Sequence, residues 1–299
     1  MGVRHRARLA LVAASLGVVH AGCTTIEGSD DPLRDPGPSS SEPAADATPL
    51  SRDDHRDDAC EFAAGATGSG TIRVVYVVPS DRDVDARYQL NLEDSLRHVQ
   101  LWLRDHTEQR TSILVHEPVV EVVHTSHPAA YYASNPVGTD RNLDYWYNAT
   151  TDALAGVSGS FDDPDNIWLF YVAADPACGQ ATGTSGHVAL FPENDLRGLV
   201  GDPRVPTCPG GEDGYGRCRW VGGMALLLAF ALGVPDAAAC TDSDPATACD
   251  NDLLFRLGYT TYPVATLSPD QLAFLAGSPF VRAAGLPDCE LSCNSAALP

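Results

Sequence analysis

One pair of residues in this 299-residue chain has the types and spacing of a zinc-binding sequence. His116 and Glu117 begin like the helical pattern H-E-x-x-H, in which two imidazoles bind the metal and the Glu activates a water molecule. Val120 stands where the second His is required, and Pro118 would break the helix that the pattern needs. We therefore expect no zinc site here.

Three further patterns are incomplete in the same way. His124 and His127 follow the end of a predicted strand, where scattered His residues are usually surface positions rather than metal ligands. The Asp-x-Asp-x-Asp run that ends at Asp85 lacks the Gly and the bidentate Glu of a calcium loop, so we expect a helix cap there. Residues 183–187 lack the final Gly of a serine-hydrolase nucleophile elbow.

The apolar stretch 222–236 is the most informative segment. Its spacing resembles the metzincin-type zinc-protease pattern H-E-x-x-H-x-x-G-x-x-H/D. In that pattern two His one helical turn apart bind zinc, the Glu is the general base, and the Gly permits a turn towards a third ligand. At the His, Glu, His, Gly and third-ligand positions, in that order, this chain has Leu226, Leu227, Phe230, Gly233 and Asp236.

These substitutions remove the chemistry of the motif. Leu226, Leu227 and Phe230 have no lone pairs to give a metal, and Asp236 is a single carboxylate where three protein ligands are usual. The resemblance therefore implies a zincin-like protein with no catalytic residue, no bound metal and no cofactor. Without a metal, we expect the helix to pack as core; an ordinary buried helix would also have this apolar sequence.

The Met-turn that lies beneath the metal in these proteases is also lost. The chain has two Met residues, and both precede the third-ligand position. We expect Leu254 to occupy the place of that Met.

The predicted elements follow the order of the same family. We expect an α+β fold: a mixed twisted sheet with a long backing helix, and the former active-site helix at its centre. The resemblance implies that an edge strand, 187–191, receives an extended peptide or an envelope protein. The predicted elements are strand 71–78, helix 85–108, strand 113–123 interrupted at Pro118, helix 142–154, strand 167–173, edge strand 186–191, a helical turn 193–199, the central helix, and a helix from Ser268.

The first residues predict export. Arg residues precede a short apolar segment, and the ending Ala21-Gly22-Cys23 resembles a bacterial lipobox, although His20 stands where an aliphatic residue is usual. In that family the Cys carries the lipid and becomes the mature N-terminus, so Cys23 would anchor the protein to a membrane. Cleavage near Ala21 would instead release a secreted protein.

Three regions follow from this assignment. Residues 1–23 form a lipoprotein signal peptide, and 24–58 form a disordered, acidic, Pro- and Ser-rich tether. Residues 59–299 form the zincin-like domain, divided into an N-terminal subdomain (59–233) and a small, disulfide-stapled C-terminal subdomain (234–299). The net charge is −21 and all 19 basic residues are Arg, so binding to nucleic acid or to an anionic membrane surface is disfavoured.

The cysteine count agrees with export, because nine Cys less the lipidated one leave an even number. Eight Cys permit 105 pairings; close spacing favours Cys208–Cys218, Cys240–Cys249 and Cys289–Cys293, which leaves Cys60 with Cys178. The function predicted from the sequence is therefore a lipid-anchored, periplasmic or surface-exposed envelope protein with an inactive metalloprotease-like domain and a binding or scaffolding role. An active hydrolase with an unrecognised site and a purely structural envelope lipoprotein are the alternatives.

Overall fold

Strand β1 (Thr71–Val78) is the centre of the structure, and its sequence accounts for this position. It is a β-branched run in which every residue except Arg73 is buried, as expected of a parallel strand covered on both faces.

The computed structural model describes residues 70–108, 110–202, 216–236, 250–283, 285–289 and 291–293. The predicted signal peptide with Cys23, the tether, and Cys60, Cys208, Cys240 and Cys249 lie outside these residues.

The described strands form one main sheet and one small sheet. The main sheet has the order β3-β1-β4-β6-β5; neighbouring strands are parallel except for β5, which pairs antiparallel with β6. Strands β2 and β7 pair antiparallel in a separate two-stranded sheet. The other strands are β2 (Thr111–Ile113), β3 (Val115–His124), β4 (Asn166–Val172), β5 (Gly183–Ser185), β6 (Val188–Phe191) and β7 (Val281–Ala283).

Helices cover both faces of the main sheet. Alternate residues of β1 point to opposite sides: Val74 and Tyr76 pack with α1, α4 and α5, whereas Val75 and Val77 pack with α2 and α3. The helices are α1 (Ala86–His106), α2 (Ala129–Ser134), α3 (Asp144–Gly156), α4 (Glu193–Leu199), α5 (Arg217–Ala231), α6 (Tyr259–Thr261) and α7 (Pro269–Ala276).

Most predicted elements are confirmed within a few residues. The Asp85 side chain accepts a hydrogen bond from the Arg87 backbone N–H and caps α1, and Ser268 caps α7 with Pro269 at its first position. The mixed sheet, the long helix α1 and the central helix α5 are present as expected. The second helical layer, α2 and α3, makes the architecture a mixed α/β arrangement, which the α+β prediction did not anticipate.

Two predicted strands differ from the structure. The segment 113–123 is divided, because Ile113 belongs to the small sheet and the register of β3 against β1 shifts around Pro118, which has no N–H to donate. The predicted edge strand 187–191 is internal: β6 lies between β4 and β5, and its four residues are buried. The edge strand on this side of the main sheet is β5, and β3 is the edge strand on the opposite side.

None of the helices among the described residues is both long enough and apolar enough to span a membrane.

Candidate functional site

Helix α5 has two faces that differ in exposure. Its residues advance about 100° each, so the partly exposed residues fall within a sector of roughly 120°. Three apolar residues of this sector are Leu226, Leu227 and Phe230, which stand at the positions compared in the sequence with the two His and the Glu of the metzincin pattern. The remaining partly exposed residues of the helix are Arg219 and Trp220, at its N-terminal end. The buried face consists of Val221, Met224, Ala225, Leu228, Ala229 and Ala231.

The exposure of this sector corrects the expectation that α5 packs entirely as core. Leu226, Leu227 and Phe230 contact the hydrophobic core but remain partly accessible, so they are not simply core residues. They do not fit a zinc ion, because no atom of their side chains can donate an electron pair. We call this surface, Leu226, Leu227 and Phe230, the apolar face of α5.

The chain leaves α5 through a turn that the sequence predicted at Gly233. Gly233 has a φ of +78°, its N–H donates to the Phe230 carbonyl, and the Val234 N–H donates to the Ala229 carbonyl. This is the Schellman arrangement, for which glycine is strongly preferred. Asp236 follows in an exposed segment without regular structure.

The segment after α5 supports the apolar face from one side. The rings of Phe230 and Phe255 meet edge to face, with centroids 4.8 Å apart. Leu254, expected to replace the Met of the Met-turn, is buried and contributes with Ala225 and Leu228 to the lining of a small apolar cavity. The aromatic contact with Phe230 is therefore made by Phe255, the residue after Leu254.

Edge strand β5 packs against α5 and presents one backbone position outward. Ser185 pairs with Val188 across a two-residue turn, and Thr184 pairs with Ala189. The pair that flanks a two-residue turn is hydrogen-bonded, and the next pair along an antiparallel ladder is not. The N–H and C=O of Thr184 therefore point away from β6, towards the open edge of the sheet.

The N-terminal end of α5 is anchored in the core by Arg217. Its guanidinium donates to the carbonyls of Leu199 and Cys293 and to the Ser95 hydroxyl, and burial lowers the pKa of Arg217. Cys218 forms a disulfide with Cys293. Together these contacts fix the position of α5 relative to the C-terminal segment.

That disulfide overturns two predicted pairings. Cys218 bonds to Cys293, 75 residues later. The predicted pairs Cys208–Cys218 and Cys289–Cys293, which close spacing suggested, are therefore both wrong. Packing brings the two Cα atoms within 5.0 Å, a proximity that sequence separation does not encode. Cys178 and Cys289 are also disulfide-bonded.

The other sequence patterns have structural partners. His116 lies 3.8 Å from Glu121, and His127 Nδ1 lies 2.7 Å from Asp152 while its ring stacks on Tyr131. Asp81, at the start of the predicted calcium-like run, accepts the N–H of Ala129 and so ties two loops together. Within the described ranges, no three His, Cys, Asp or Glu residues are grouped so that they could hold a metal ion.

Three residues of this site were not predicted from the sequence: Thr184, Arg219 and Phe255. Gly183 and Gly186 border a segment that could have been recognised as a short hairpin from its turn glycine. No local pattern distinguishes Arg219 or Phe255, because their roles depend on which helix face remains open.

Comparisons with known proteins give distant likenesses to solved structures. No protein-family model matches the chain, and no curated protein matches it significantly. Among solved structures, wild-type OgpA from Akkermansia muciniphila superposes with a TM-score of 0.47 and 17% identity, covering 74% of this chain and 64% of OgpA. Catalytically inactive OgpA from the same organism, in complex with an O-glycopeptide substrate (glycodrosocin), superposes with a TM-score of 0.48 and 18% identity, covering 74% of this chain and 63% of OgpA. The chain spans less than two thirds of these structures, and the likeness is too distant to carry a functional conclusion.

Proposed function

We propose that this chain is an exported, lipid-anchored envelope protein whose zincin-like domain binds an extended peptide segment without cleaving it. The segment would belong to a peptide ligand or to another envelope protein. The segment would pair as an additional strand with the open edge of β5, and its side chains would pack on the apolar face of α5. This proposal joins the sequence resemblance at 226–236 to the geometry of the two elements.

The observation that carries the proposal is that Leu226, Leu227 and Phe230 remain partly exposed. A helix that had merely become core would bury these residues, since each buried CH₂ stabilises by about 0.8 kcal/mol. An apolar face left partly open beside an edge strand is suited to side chains of an added strand.

The edge strand supplies the second part of the recognition. Thr184 offers an N–H and a C=O outward, and an extended peptide can satisfy both by main-chain hydrogen bonds. Such bonds are independent of the sequence of the ligand, so selectivity would come from the side chains that meet α5.

Export and lipid anchoring rest on the N-terminal segment and on cysteine chemistry. Four Cys of the described residues, Cys178, Cys218, Cys289 and Cys293, are in disulfides, which persist in oxidising compartments such as the periplasm or the cell surface. Cys23 would carry the lipid. Metabolic labelling with a radioactive fatty acid, compared between the wild type and Cys23→Ser, tests the anchor directly.

We expect the triple variant Leu226→His, Leu227→Glu and Phe230→His to acquire zinc affinity. Two imidazoles four residues apart would lie on one face of α5, and Asp236 would complete three ligands. Isothermal titration with ZnCl₂ on purified residues 60–299, with disulfides intact, should give about one zinc per chain, against none for the wild type.

A polar triple variant, Leu226→Gln, Leu227→Glu and Phe230→Gln, controls for the burial of polar groups, because it adds similar polarity without imidazoles. Circular dichroism establishes folding of both variants. A folded His variant without zinc affinity would refute the alignment with the metzincin pattern. Stoichiometric zinc in the wild type, together with peptide cleavage that a chelator abolishes, would refute the non-catalytic function.

We expect Thr184→Pro to weaken peptide binding at least tenfold. Proline has no N–H and so removes one of the two outward groups, while edge strands tolerate it. The measurement is fluorescence anisotropy of a labelled heptapeptide of alternating Thr and Leu. Thr184→Val keeps the N–H and the β-branched shape, so it should bind like the wild type. Equal binding by Thr184→Pro and Thr184→Val would place the ligand elsewhere than on β5.

A further inference from the structure

The carboxyl ends of β1 and β3 lie side by side at one end of the main sheet, and the chain leaves them in opposite directions. These strands are parallel neighbours. After β1 the chain continues into α1 on one face of the sheet, whereas after β3 it continues into α2 and α3 on the other face. Ligands of open α/β sheets bind in the crevice that such diverging connections leave. We call this place, bordered by segments 79–85 and 125–128, the carboxyl-edge crevice.

His127 lies in this crevice and contacts both of its borders. Its carbonyl accepts the N–H of Ser80 over 2.9 Å, and two residues later the Ala129 N–H donates to the Asp81 carboxylate over 2.7 Å. The imidazole ring stacks on the ring of Tyr131, with centroids 3.7 Å apart and planes 7° from parallel. These contacts fix both the backbone and the ring plane of His127.

The carboxylate of Asp152, on α3, sets the tautomer of this imidazole. It lies 2.7 Å from His127 Nδ1, and because a carboxylate accepts hydrogen bonds, Nδ1 carries the proton and Nε2 of the neutral ring keeps its lone pair. The Tyr132 hydroxyl donates to the same carboxylate over 3.3 Å. Among the described residues His127 Nε2 has no hydrogen-bond partner, and the side chain is 37% exposed. A base of fixed orientation therefore faces solvent.

The surroundings of this base favour a neutral ligand that carries a carbonyl group. The backbone N–H groups of Ser126 and His127 make no hydrogen bond within the part of the chain that the structure describes, so they are available as donors to a carbonyl oxygen. Asp81, Asp83 and Asp152 make the local charge negative, which disfavours anionic ligands such as phosphates.

We propose that His127 is a general base that hydrolyses small, neutral carboxylic esters in the carboxyl-edge crevice, with Asp152 as its positioning residue. His127 Nε2 takes a proton from a water molecule while the oxygen of that water bonds to the ester carbonyl carbon. The bond from that carbon to the alcohol oxygen then breaks, and the imidazolium returns the proton to the departing oxygen. One water is consumed, and a carboxylic acid and an alcohol are released. This activity does not depend on peptide binding at β5 and α5.

The test is hydrolysis of p-nitrophenyl acetate by the purified full chain with its disulfides intact, followed by the absorbance of the released nitrophenol. We expect His127→Gln to lower kcat/KM at least about tenfold, since a general base contributes about 10²- to 10⁴-fold. Asp152→Asn should lower kcat and leave KM nearly unchanged, because an amide can donate to Nδ1 and so moves the ring proton to Nε2. His124→Gln removes an exposed imidazole at the end of β3 and should match the wild type.

Circular dichroism establishes that each variant is folded, and His127→Phe, which preserves a ring to stack on Tyr131, is the second variant without a base. Two results for the wild type would overturn the proposal: hydrolysis no faster than in buffer, and a rate that is not slower in D₂O than in H₂O. Unchanged kcat/KM in folded His127→Gln or His127→Phe, or an equal loss in His124→Gln, would also overturn it. A change confined to KM in Asp152→Asn would refute the positioning role of Asp152.

Discussion

Gly222→Ala is expected to destabilise the protein by about 1–3 kcal/mol, because α5 approaches another backbone segment at this residue. A Cβ atom at Gly222 would stand 2.2 Å from the Tyr259 carbonyl oxygen and 2.7 Å from the Tyr262 Cβ. Neither atom is the end of a flexible side chain, so the helix and the segment 259–262 would have to separate. The free energy of unfolding from urea titration at neutral pH, with disulfides intact, measures the effect.

The neighbouring residue is a matched control. A Cβ at Gly223 would meet only Arg219 Nη1, at 3.1 Å, which is the end of a flexible side chain. Since Ala is favoured over Gly in a helix by about 1 kcal/mol, Gly223→Ala should leave stability unchanged or raise it by up to that amount. Similar free energies for the two variants would mean that α5 does not contact segment 259–262 as closely as described.

The second large effect is a loss of stability in acid that depends on His98. This imidazole is buried in α1, with its Nδ1 2.9 Å from the Tyr262 hydroxyl. Burial, and to a smaller extent the nearby charge of Arg217, lower the pKa of His98 from 6.5 to about 4. A charged His98 would place a second cation beside Arg217 in the core.

The direction of the pH dependence follows from proton uptake. The unfolded chain binds a proton at this His as the pH falls through about 6.5, whereas the folded chain does so only near pH 4. Stability contributed by neutral His98 is therefore complete above pH 6.5 and is lost progressively down to about pH 4. The total loss from this residue is about 3 kcal/mol.

His98→Gln removes this titration while keeping a neutral side chain that can form hydrogen bonds. We expect the difference in unfolding free energy between pH 7 and pH 4 to be about 3 kcal/mol smaller in the variant than in the wild type. His124→Gln, at the exposed end of β3, controls for the removal of a histidine elsewhere. An unchanged difference in His98→Gln would mean that the acid sensitivity arises at other groups.

Local sequence patterns predicted the elements whose signals lie within a few residues. The β-branched run of β1, the Asp85 cap of α1, and the Ser268 cap with Pro269 before α7 each have a cause that acts inside one turn or one strand. Strand order has no such local signal. For that reason β6 was taken for the edge strand, and β5, only three residues long, was overlooked.

The candidate site likewise has features that local sequence predicts and features that it does not. Residue types alone remove zinc chemistry from positions 226, 227 and 230, and the glycine turn at Gly233 follows from its place after the helix. The open side of α5 could not be predicted, since an apolar helix has the same composition on both faces. The roles of Thr184 and Arg219 depend on that open side.

The sequence by itself determined which side chains are available: no metal-binding side chains at positions 226, 227 and 230, an apolar helix that ends at a glycine, and enough Cys for several disulfides. The tertiary structure alone decided which surfaces remain open and which distant residues meet. Packing brings Cys218 to Cys293, leaves Thr184 at the sheet edge, and keeps Leu226, Leu227 and Phe230 partly exposed. The physical reason is that burial and strand pairing depend on contacts between segments far apart in the chain, which local propensity does not specify.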